Sequence, residues 1–137
     1  MKMAIALAAL AVAAPVAAQD MSAFETGPVL TEFGPHAPVA GVEKLPEDAE
    51  FAIAFDVSEP APKGRANREF ESAARFLNMH VAHGVAEENI RLVVVVHGKA
   101  ALELVAGEAG ANPSQALVEA LLDKDVRFVL CGQSVAA

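Results

Sequence analysis

Residues 92–96 of this chain read LVVVV and run straight into His97-Gly98. Four consecutive valines carry stiff, β-branched side chains that suit a pleated strand better than a helix. Five apolar residues closed by a turn pair are short for a buried helix and right for a buried strand. Two other runs have the same character, EFAIAFDV at 50–57 and DVRFVLC at 125–131. The nearly continuous apolar content of 50–57 predicts a strand covered on both faces. Helical periodicity fills the gaps. In RANREFESAARFLNMHVAHGV, Phe70, Ala73, Ala74, Leu77 and Val81 fall on one stripe. Gly84 predicts the stop of that helix, with Val85 packing back beside it. A short helix is expected over 99–105, then a glycine-rich connection, AGEAGA. Asn112 is then expected to cap a helix that opens with Pro113, with Gln115 completing a capping box and Leu117, Ala120 and Leu121 facing inward. The order β-α-β-α-α-β, with connections long enough for crossovers, predicts parallel strands in a three-layer α/β/α domain.

The N-terminus does not fit that domain. Lys2 precedes a twelve-residue apolar stretch at 3–14, then Pro15 and the small-residue set Val16-Ala17-Ala18. This is the order of a Sec-type signal peptide, so residues 1–18 are expected to be removed and the protein to be periplasmic or secreted. The remainder has no apolar run long enough to span a membrane. Residues 19–48 form a second segment, with Pro28, Pro35, Pro38 and Pro46 excluding a regular helix or central strand. It is expected to lie as an extended arm on the domain or on a neighbouring subunit. The domain itself spans 49–137.

Charge and composition exclude some functions. The chain has 18 acidic and 10 basic residues, a net charge of -8, and no Trp or Tyr. An acidic surface without stacking aromatics does not fit nucleic acid. No P-loop, dinucleotide fingerprint or Ser-His-Asp motif occurs, and nothing calls for a cofactor. His80 and His83 are spaced to share a metal, but no third ligand stands near them, so no metal site is predicted.

Parallel sheets bind ligands beyond the carboxyl ends of their strands. Three segments should meet there: the loop after the first strand, His97-Gly98, and Cys131-Gly132-Gln133-Ser134. Cys131 is the single cysteine, so it makes no internal disulfide. It sits where a further helix would begin, and amide N–H groups at such a start favour the thiolate. Cys131 is therefore either a reactive nucleophile or a packed core thiol. Gly98 ends the second strand with His97, Gly132 lets the backbone turn closely, and Gln133 and Ser134 add donors. His97 either polarises the thiol or satisfies backbone carbonyls at a strand end.

ARFLNMHVAHGV with LVVVVHG, and VRFVLCGQS, together resemble the DsrE/DsrF-like family over residues 50–137. The likeness is closest to an exported branch with a proline-rich arm. It implies a parallel sheet of about five strands, with strands one, two and three side by side, in trimers or hexamers. Three of those strands are present here, so the chain is expected to be incomplete at its C-terminus. In sulfur-relay members the cysteine after the third strand accepts sulfur as a persulfide, and Cys131 matches that position. The resemblance implies sulfur handling by Cys131 as a sulfurtransferase-like carrier, with a sulfur-donor or acceptor protein as partner. The alternative is a non-catalytic, homo-oligomeric binding or assembly module of the cell envelope.

Overall fold

The valine run is the middle strand of the sheet. The structure, a computed structural model, describes residues 21–105 and 111–136. The expected signal peptide and most of the AGEAGA connection lie outside the described residues. Three parallel strands, β1 (Phe51–Val57), β2 (Ile90–Val96) and β3 (Arg127–Leu130), stand side by side in that order. The register runs from Phe51 opposite Ile90 to Val57 opposite Val96, and from Val93 opposite Arg127 to Val96 opposite Leu130. This is the α/β arrangement expected.

The connections are helical. Helix α1 (Arg68–Ala82) joins β1 to β2. A 3₁₀ segment, Gly98–Leu104, and helix α2 (Gln115–Leu122) lie between β2 and β3. A short helix α3 (Gly132–Ala136) follows β3. Asn67 caps α1, its Oδ1 accepting from the Glu69 N–H at 2.9 Å, while Glu69 and Glu71 sit favourably at the positive end of the helix dipole. At the far end Gly84 takes a φ of +97°, and the Val85 N–H turns back to the His80 carbonyl at 3.1 Å. Val85 is buried, as the sequence pattern required.

Asn112 does act at the head of the α2 turn, its Oδ1 accepting from the Ser114 N–H at 3.0 Å. The reciprocal half of the expected capping box does not form. Gln115 instead donates forward along the helix to Glu119 at 2.8 Å.

The core lies on one face of the sheet. Phe70, Ala73, Ala74 and Leu77 of α1 and Leu117 and Leu121 of α2 pack over Val57, Ile90, Leu92, Val94 and Val96. Phe128 of β3 meets Phe70 edge-on, ring centroids 5.4 Å apart. Val81 and Ala120, expected on the inward stripes, are only partly buried. The expectation that β1 is covered on both faces needs correcting. Phe51, Ile53 and Phe55 alternate with exposed Ala52, Ala54 and Asp56. The described helices α1 and α2 touch each other and share the core face. On the opposite face Val93 and Val95 are half-buried and Val129 is 39 % exposed.

Residues 25–36 pack on α1. Glu25 and His36 form a two-way backbone bridge, each N–H donating to the other's carbonyl at 2.9 Å. Asn78, fully buried, holds this segment. Its Oδ1 accepts from the N–H groups of Val29 (3.1 Å) and Leu30 (2.8 Å). Its Nδ2 faces the carbonyls of Leu30, Phe33 and Gly34 at 2.9, 2.8 and 3.1 Å. Gly34, at φ +65°, crosses so close to α1 that a Cβ there would overlap the backbone of Ala74 and Arg75.

Candidate functional site

The carboxyl ends of the three strands are tied together by backbone. The N–H of His97 donates to the Val57 carbonyl at 2.9 Å, and that of Ala100 to the Ser58 carbonyl at 3.2 Å. The Cys131 N–H donates to the Val96 carbonyl at 2.9 Å, extending the β2–β3 ladder beyond its last paired residues. Gly98, at φ +58°, takes a conformation that L side chains rarely adopt, and a Cβ there would press on the Ser58 carbonyl at 3.1 Å. Its N–H donates to the Ser134 hydroxyl at 2.9 Å, joining the loop after β2 to α3. The three segments expected at this rim do meet.

Cys131 is half-buried, a free thiol at the start of α3. The backbone N–H groups of Ser134 and then Gln133 lower its pKa from the ordinary thiol value, burial opposes them, and the Ser134 hydroxyl adds least; the Ser134 N–H also donates to the Cys131 carbonyl at 3.0 Å. One hydroxyl thus serves two neighbours. It accepts from Gly98 and favours the Cys131 thiolate. Gly98 is thus tied to the same turn of α3 that follows the thiol. Gly132 is the first residue of α3 and is exposed, with open space where a Cβ would stand.

His97 lies level with Cys131, one step past the Val96–Leu130 pair, at the ends of adjacent strands. Its ring is committed elsewhere. Nε2 donates to Asp56 Oδ1 at 2.8 Å, across the exposed end of β1. Asp56 is the residue the sequence reading missed. The sign of it was present, since Asp56 falls on the exposed parity of β1, one residue before the strand's last. His80 and His83 both bond to the backbone of their own helix. Each donates Nδ1–H to the carbonyl four residues back, Phe76 and Met79, both at 2.8 Å. The His80 ring also stacks on Phe76, centroids 3.8 Å apart.

The family model described as DsrE/DsrF-like matches residues 50–137, most of the chain and all of the sheet. This chain belongs to the DsrE/DsrF-like family. The match begins immediately before β1, so the residues packed on Asn78 precede the DsrE/DsrF-like domain. Comparison with curated proteins and with solved structures gives no match. The lone thiol of this DsrE/DsrF-like chain follows the third strand. Among the described residues no helix is long and apolar enough to cross a membrane.

Proposed function

We propose that this protein carries sulfane sulfur on Cys131. The observation that supports it best is the place of the one thiol: half-buried at the head of α3, directly after β3, on the rim where parallel sheets bind ligands, with the backbone N–H groups of Ser134 and Gln133 favouring its thiolate. The thiolate is the nucleophile. It attacks the outer sulfur of a donor persulfide R–S–SH, forming a bond from Cys131 Sγ to that sulfur and breaking the donor's S–S bond. The donor leaves as a thiolate, so the sulfane sulfur moves with no net oxidation or reduction. The same N–H groups then face the negative charge of the new persulfide. His97, bonded to Asp56, takes no part in this step. A sulfur-donor or acceptor protein is the partner this reading requires. The order Lys2, apolar 3–14, Pro15 and 16–18 supports export of the carrier.

The test is intact-mass and peptide mapping after incubation with inorganic polysulfide. The expected result is one added sulfur atom on the peptide containing Cys131, released by dithiothreitol. An unmodified thiol under conditions that load a control cysteine peptide contradicts the proposal.

A second reading has its own observation. The sheet face with Ala52, Ala54, Val93, Val95 and Val129 is not packed by α1 or α2, and such faces favour association. On this reading copies of the chain assemble through that face and Cys131 is incidental. Retention of function by a Cys131→Ala variant, with loss of the oligomer on Val95→Lys, supports it over the first.

A further inference from the structure

On the core side of the same rim, a cavity of about 370 Å³ opens between the loop after β1, the 3₁₀ segment and the head of α2. Three cationic side chains line it: Lys63 and Arg65 from the loop and Lys99 from the 3₁₀ segment. They are three of only ten Lys and Arg residues in a chain of net charge -8. None of the three forms an ion pair among the described residues, whereas Arg91, Lys124 and His97 each find a carboxylate.

One carboxylate, Glu103, also lines the cavity and offsets one of the three charges, with its oxygens turned to the wall. Its Oε1 accepts from the Ala61 N–H and, at 3.2 Å, from the Asn67 amide, and its Oε2 accepts from the Ser114 hydroxyl at 2.7 Å. Both oxygens are spent on holding the cavity wall, and Asn67 and Ser114 behind them are buried. The wall is thus firm and the cations face outward, unpaired. Three cations against one carboxylate leave the cleft with a net positive potential that a compact multivalent anion relieves. An arginine beside lysines suits a tetrahedral oxyanion, with the planar guanidinium donating in pairs. Pro60, Pro62 and Leu102 add apolar wall, and the volume exceeds what a bare inorganic anion fills.

We infer that this cavity binds a small organic molecule carrying a phosphate-like dianion, its charge on Lys63, Arg65 and Lys99 and its apolar part against Pro60, Pro62 and Leu102. The site is separate from the thiol chemistry and stands without it. Titration of the full chain with phenyl phosphate, followed by amide NMR shifts at constant ionic strength, tests it. Saturable shifts are expected in 60–65 and 98–104, with phenyl phosphate binding several-fold more tightly than inorganic phosphate. Arg65→Gln with Lys99→Gln should weaken binding at least tenfold, while Lys124→Gln, which removes a paired cation elsewhere, and Cys131→Ser should leave it unchanged. All three cations are exposed, so the double variant keeps its fold, checked by its unshifted remaining amides. Shifts that fail to saturate, that spread over the surface, or that persist in the double variant overturn the inference.

Discussion

A Cys131→Ser variant is expected to lose sulfur loading entirely while melting at the same temperature as the parent. The two halves of that result come from different features. Cys131 is the only thiol in the chain, so no second cysteine takes over the adduct. Serine replaces sulfur with a hydroxyl that stays protonated at neutral pH and cannot form a persulfide. The fold does not need the sulfur, because Cys131 is half-buried and lies outside the core that Phe70, Leu77, Leu117 and Leu121 build. Its backbone N–H still donates to Val96 in the variant. Mass spectrometry after polysulfide treatment and a thermal melt read the two halves separately. Residual loading, or a large drop in melting temperature, places Cys131 in a structural role.

Asn78→Ala is expected to be the most damaging change of a single polar side chain among those described. The amide makes five hydrogen bonds to the backbone of residues 29–34. Truncation leaves the buried N–H of Leu30 and the buried carbonyl of Gly34 without partners, while the Leu30 carbonyl keeps the Gly27 N–H at 2.8 Å. The loss is about 3 kcal/mol, since each stranded buried group costs roughly 1–3 kcal/mol and the partly exposed ones recover water. A chain of this size should then melt about 10 °C lower. Asn78→Asp separates hydrogen bonding from mere volume. Aspartate keeps the shape but turns a carboxylate oxygen toward three carbonyls, so it should be at least as destabilising at neutral pH. Amide exchange should show residues 25–36 losing protection before the sheet does. If both variants melt within a degree or two of the parent, the segment is not held by Asn78.

Much of this architecture can be read from local pattern, and the limits are instructive. The stripe from Phe70 to Leu77 announces α1 because helical spacing alone puts those residues on one side. Cys131 reaches the rim because parallel crossovers return every strand in the same direction, and that follows from element order. Asn78 was not legible. An asparagine inside a helix gives no local sign that it will bond to backbone 44–49 residues away. The one-sided sheet was misjudged for a chemical reason. Alanine counts as apolar, so Phe51, Ile53 and Phe55 merged with Ala52 and Ala54 into one run, although large and small side chains alternate. The Asp56–His97 pair and the cluster of Lys63, Arg65 and Lys99 depend on register and loop path, which spacing in sequence does not reveal.

The thiol itself offers the most direct measurement: the rate of Cys131 alkylation by iodoacetamide against pH, on the full chain. The amide groups of Ser134 and Gln133 favour the thiolate, so the midpoint should fall below the ordinary thiol value of about 8.5. Reactivity is then high above the midpoint and lost as pH falls through it. Ser134→Ala, which removes the hydroxyl and its bond from Gly98, should move the midpoint upward. A midpoint at or above the ordinary value, unmoved by Ser134→Ala, contradicts an activated sulfur at this rim.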